Sequence, residues 1–136
     1  MVIADITVVP VATERKVAYL EFSKRMAGVY RDHGAISVVD YWQTRESADQ
    51  ADFHADGASY EPGELKSIAD LAGASTGESV VVSVITWPSR EARDRGTAAA
   101  TQDARVLETL DEEPVFDGGR VIGDSFEIAM SVQRDE

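Results

Sequence analysis

The chain has 136 residues, 43% of them apolar and 28% charged, enough for one domain with its own core and too close to globular averages for a disordered or fibrous chain. Thirteen Lys and Arg against twenty-five Asp and Glu give a net charge of −12, which repels phosphate backbones and anionic lipid surfaces and argues against nucleic acid and membrane as partners. There is no cysteine, so disulfides, thiolate metal sites and thiol nucleophiles are excluded.

The amino terminus, MVIADITVVPV, lacks a basic start and carries Asp5 at its centre, unlike an export signal, and the expected location is cytoplasmic. Residues 2 to 9 are mostly β-branched and predict a first strand ending at Pro10. Thr13 stands as a helix N-cap, Tyr19, Phe22, Met26, Val29 and Tyr30 recur at helical spacing, and Gly34 ends the helix after Arg31 and His33. Residues 35 to 42, AISVVDYW, predict a second strand. An acidic insertion follows over about 44–77, in which ELKSIADLA forms a short helix closed by Gly73; so long a connection points to a structured insertion rather than a bare loop.

SVVVSVITW, residues 79 to 87, is the clearest strand, ended by Pro88. Ser89 caps a second long helix, with Gly96 as its weak point, and PVFDGG turns the chain into a last strand over 120–132 with a bulge at Gly123. The terminal QRDE is expected to fray. The order strand, helix, strand, strand, helix, strand predicts one α+β domain over 1–136, a ferredoxin-like antiparallel sheet with both helices on one face. Alternation in the first strand separates Val2, Ala4, Ile6 and Val8 from Ile3, Asp5, Thr7 and Val9, and the wholly apolar set is assigned to the face under the helices. The other face, apolar with polar insets, then meets a second copy in an isologous dimer.

VVDYWQT, VVVSVITWPSREARDRGTAAATQDARV and PVFDGGRVIGDSFE resemble, in order, segments of the YbaA-like family of bacterial proteins in the dimeric α/β-barrel superfamily. The resemblance is most specific at Trp87-Pro88-Ser89-Arg90 running on to Arg93-Asp94, and at Phe116-Asp117-Gly118 with Arg120. It implies the fold and the homodimer and brings no established activity. The chain departs from the family pattern at Val84, at Asp124-Ser125 and in a longer connection between Phe53 and Glu78.

Several residues have the chemistry of a site. Asp5, Asp40, Ser83 and Glu127 interrupt apolar strands, where a buried carboxylate gains a raised pKa suited to proton transfer, or else makes structural hydrogen bonds. Trp42 and Trp87 offer pocket walls or core packing. His33 reads as a helix-terminal residue, and Asp52, His54 and Asp56 as part of a solvated acidic loop, so neither a metal nor another cofactor is expected. Arg90 and Asp94 form an i,i+4 pair. No Walker, dinucleotide or nucleophile-elbow motif is present. The expected function is a homodimer that binds a small apolar or aromatic molecule between the two sheets, with Asp5, Trp42, Ser83 and Trp87 as ligand contacts. The alternatives are a cofactor-independent monooxygenase- or isomerase-like enzyme using a strand carboxylate, and an interaction protein docking through its acidic insertion.

Overall fold

The computed structural model describes residues 1–135; the last position of the QRDE tail lies outside the described residues. Four strands, β1 (Ile3–Ala12), β2 (Ser37–Trp42), β3 (Glu78–Trp87) and β4 (Ile122–Glu127), form one antiparallel sheet in the order β2-β3-β1-β4. This is the expected α+β, ferredoxin-like arrangement. Helices α1 (Lys16–Asp32), α2 (Ile68–Ala72), α3 (Arg90–Gln102) and α4 (Ala104–Glu108) fill the connections, and among the described residues no helix is long and apolar enough to cross a membrane.

β1 does not stop at Pro10 but runs on to Ala12. The register explains why a proline is tolerated in a central strand. Pro10 faces Val80, whose carbonyl accepts from the Gln43 N–H at 2.9 Å on the β2 side. Pro10 also lies beyond the last β4 pair, Val8 with Ile122, so its missing N–H deprives no ladder of a bond. At the next turn Thr13 is not a side-chain cap: its hydroxyl meets that of Ser79 at 2.7 Å, and a short 3₁₀ turn leads into α1. That helix closes at Gly34, whose φ of 109° a side chain rarely adopts.

Ser89 caps α3 as expected, its hydroxyl accepting from the Ala92 N–H at 3.0 Å. Gly96, however, does not break the helix. A Cβ there would lie 2.3 Å from the Trp87 ring and 2.6 Å from the His33 carbonyl oxygen, so this glycine permits close approach of helix and sheet. The break falls at Asp103, which ends α3 and caps α4 through its side chain. Gly123 forms no bulge; it pairs in regular register with Thr7, against which a side chain would clash. In the β2–β3 connection, Ser67 and Asp70 form a reciprocal capping box for α2, and Gly73 ends it at φ 69°.

The expected assignment of sheet faces is inverted. Asp5 binds Arg93 of α3, Asp40 binds Ser23 of α1, and Val9, Val11 and Val81 pack around Tyr19 of α1. The helices therefore cover Ile3, Asp5, Thr7, Val9 and Val11 of β1, with Trp42, Ser83 and Trp87 on the same side. Ala4, Ile6 and Val8 lie on the opposite face beside Val82, Val84, Val39 and Tyr41; apart from α2, which reaches the end of it near Val80, this face is helix-free. Alternation separates the two sets without saying which one the helices take, and the mixed set is the one whose polar members find helix partners.

Candidate functional site

On the helix side, two carboxylates stand in otherwise apolar strands, and each is held by its neighbours. Asp5 accepts from Arg93 Nε at 3.0 and 3.2 Å and from the Ser125 hydroxyl. Asp40 accepts from the hydroxyls of Ser23 and Ser83. Burial pushes the Tyr19 phenol above its ordinary value; its hydrogen bond with Ser83 opposes that shift and the charge of Asp40 reinforces it. Tyr30 is likewise raised, by burial and then by Asp5. These contacts join α1, α3 and all four strands through side chains.

The two tryptophans differ. Trp87 is fully buried among Ile3, Ala35 and Tyr30, and its Nε1 has no hydrogen-bond partner among the described residues. Trp42 is half-buried, with Tyr19 at 5.9 Å between ring centroids and Lys16 Nζ at 5.4 Å over its ring. Asp5, Ser83 and Trp87 thus face the helices, so a ligand touching them would lie between sheet and helices, not between two sheets. Glu127 ends β4 at an exposed position opposite Ile3. His33 contacts Asp103 at 2.9 Å and Arg105 holds both Asp103 and Asp32 at 2.8 Å, fastening the end of α1 to the α3–α4 junction. Arg105 and then His33 keep the Asp103 carboxyl well below the usual carboxylate range.

A well-formed concavity lies elsewhere. The β2–β3 connection folds back over one end of the helix-free face, and between them opens a cleft of about 650 Å³. Tyr41 and Val82 form its floor, Phe53 and His54 one wall, Ile68 and Lys66 the other, with Trp42 and Gln43 at the strand end. Gln43 is fixed at both ends: its N–H donates to the Val80 carbonyl, and its side-chain oxygen accepts from the Val80 N–H, each at 2.9 Å. The His54 ring is tilted against Tyr60 at 4.9 Å between centroids. Phe53 is 70% and Ile68 55% exposed, so the walls present apolar surface to the opening. Of the four expected contacts only Trp42 reaches this cleft. Sequence reasoning missed Phe53 and Ile68, and the available signal was the presence of such side chains inside a segment otherwise suited to water. Among the described residues no group of three or more His, Asp or Glu is placed to hold a metal ion.

Comparison with known proteins agrees with this architecture. Residues 3–118 match the family described as "Protein of unknown function (DUF1428)". The chain is 31% identical over 120 residues to "Uncharacterized protein YbaA" of Escherichia coli strain K12, covering 88% of this chain and 90% of that protein, and matches YbaA of Shigella flexneri to the same extent. Among solved structures, Rv0793 from Mycobacterium tuberculosis superposes with a TM-score of 0.51 over 98% of this chain and 100% of that one, at 15% identity, a likeness of fold alone. With the family match running from β1 through α4 and the YbaA alignment spanning most of both chains, this protein belongs to the DUF1428 family, the YbaA-like proteins.

Proposed function

We propose that the protein is a homodimer joined through the helix-free faces of its two sheets, and that the cleft under the β2–β3 connection binds a small apolar or aromatic molecule. The cleft is the observation that carries the binding reading. Its volume, about 650 Å³, falls among those of small-molecule sites, and its aromatic and aliphatic walls with a few fixed polar groups have the usual composition of such sites.

The dimer reading rests on what the helix-free face exposes. Val39 is 40%, Ile122 41% and Phe126 50% exposed, and among the described strand positions of that face the charged residues are Asp124 and, at the far end of β3, Glu78, which is paired with Arg120. Two acidic chains can approach there because most of their charge lies on helices and connections, and a dyad places identical apolar surfaces against each other. The cleft borders this face, so pairing of the sheets would bring its mouth towards the second copy. The carboxylates Asp5 and Asp40 are engaged by their own neighbours, which favours binding over carboxylate-driven turnover.

The tests are direct. A native mass spectrum should show two chains, and Val84→Asp, at the centre of the helix-free face, should return a folded monomer; a wild-type monomer would overturn the dimer. Titration with anilinonaphthalene sulfonate should show one saturable site per chain, weakened about tenfold by Phe53→Ala, the cost of losing one buried aromatic contact. Unchanged affinity in Phe53→Ala and Ile68→Asp would overturn the cleft as the site.

A further inference from the structure

Among the described residues, the carboxyl-terminal arm past Ile128 and the outer edge of β2 make no strand pair within one chain. Past Glu127 a single bond continues the β4 ladder, from the Ile128 N–H to the Val2 carbonyl at 3.1 Å. Residues 128–132 then leave the sheet without secondary structure, although the expected last strand extends through them. Ile128, Met130 and Val132 alternate there with Ala129 and Ser131, the pattern of a strand with one apolar face. Yet the three apolar side chains are 43%, 78% and 85% exposed.

At the other edge of the sheet, β2 pairs only with β3 among the described residues. Beside it, between β2 and α1, runs a groove of about 500 Å³ whose apolar lining includes Val17, Leu20, Ala27 and Val38. Val17 and Leu20, one helical turn apart, are 71% and 39% exposed. One edge thus ends in an arm of alternating apolar residues that, among the described residues, makes no backbone hydrogen bond past Ile128, and the other carries a strand with one open edge beside an uncovered apolar trough.

We propose that residues 128–132 of one copy add to the outer edge of β2 in a second copy, seating Ile128, Met130 and Val132 in the groove against Val17 and Leu20. The chain's own arm cannot do this. Three strand spacings of about 4.8 Å separate β4 from β2, nearly the full reach of five extended residues, so an arm that crossed its own sheet would have no length left to lie along β2. Added as a strand, the arm satisfies the free backbone groups of the β2 edge while its apolar side chains fill the trough. Ala129 and Ser131 then turn to the helix-free face, where small side chains leave room for the opposing sheet. The inference rests on the dimer proposed above and adds to it an exchanged strand at each end of the interface.

Because the chain has no cysteine, Leu20→Cys combined with Met130→Cys supplies a clean cross-linking pair. Mild oxidation of this variant should yield a disulfide-linked species of two chains that neither single variant gives. In parallel, a chain ending at Glu127 should keep its circular dichroism while its dimer dissociation constant rises about a hundredfold or more, each of three buried side chains being worth up to about tenfold. Met130→Asp with Val132→Asp, two exposed positions that leave the monomer core untouched, should weaken the dimer similarly even if the truncated chain fails to fold. If the truncated and substituted chains both dimerise as tightly as the full chain, the arm exchange is wrong and the sheet-to-sheet dimer stands. Weakened dimers without the two-chain cross-link would place the arm outside this groove and overturn the exchange. A full chain that is monomeric throughout would overturn the dimer and the exchange together.

Discussion

On the helix side of the sheet, β1 presents Ile3, Asp5, Thr7, Val9 and Val11; on the bare side it presents Ala4, Ile6 and Val8. The covered face is the more polar of the two. Its aspartates are tolerated because helices bring donors to them, Arg93 to Asp5 and Ser23 to Asp40, whereas the bare face has apolar surface and almost nothing for a helix side chain to bind. Covering by helices and covering by another chain make different demands: the first rewards side chains that can be satisfied one by one, the second rewards a smooth apolar surface that matches itself.

The sharpest way to break this contrast is to truncate one large side chain on each face. Trp87 is fully buried on the helix side, and Trp87→Ala should cost about 3–5 kcal/mol in chemical denaturation, the usual loss for a buried aromatic. Gly96→Val should also destabilise strongly, because the Trp87 ring and the His33 carbonyl already occupy the space that its side chain needs. Phe126, half-exposed on the bare face, should cost less than about 1 kcal/mol as Phe126→Ala when the chain is measured dilute enough to be monomeric. Equal losses for Trp87→Ala and Phe126→Ala would mean that the two faces are equally part of the monomer core.

A smaller effect belongs to the polar insets. Asp5 and Arg93 are mostly buried, their side chains 16% and 29% exposed. Asp5→Asn removes the buried one of the guanidinium's two charged partners, Asp94 keeping the other at 3.0 Å, and should cost about 1–3 kcal/mol. A double-mutant cycle with Arg93→Ala should recover a coupling energy in that range, since each substitution removes the same contact. Additive losses would show that Asp5 is held by Ser125 alone and that the helix side owes little to this pair.

The order of elements was legible because strands and helices here carry strong local signals: β-branched runs in β1 and β3, Ser89 and Gly34 at helix ends. The face assignment was not, because period-two alternation is blind to which side is covered, and the covering helices contribute their Arg93 and Ser23 from far along the chain. Pro10 misled for a related reason: a proline reads as a strand end unless the register is known, and the register here spares it. Gly96 looked like a helix breaker since its partner Trp87 lies across the helix–strand packing, not along the sequence. The cleft was hidden in a segment whose composition resembles loop, and only the fold brings Phe53 and Ile68 to Tyr41 and Val82.

The smallest effect is expected at the rim, where the sheet meets the β2–β3 connection. Arg120 donates to Glu78 at 2.7 and 3.0 Å and to the Gly73 carbonyl at 2.8 Å, tying the approach to β4 to the start of β3 and the end of α2. Arg120 first, and then the Ser75 backbone and hydroxyl, pull the Glu78 carboxyl down to about 2 from its ordinary 4.5. A carboxyl lowered on folding stabilises the folded chain above its unfolded pKa and loses that contribution as pH falls through the folded value. The contribution of Glu78 is therefore complete at pH 6, declines between roughly pH 4.5 and 2, and is absent below that. Glu78→Gln should lower stability at pH 6 and converge with the parent chain near pH 2. A deficit that stays constant across this window would assign the role of Glu78 to packing instead of charge, and the rim would then differ from the faces only in exposure.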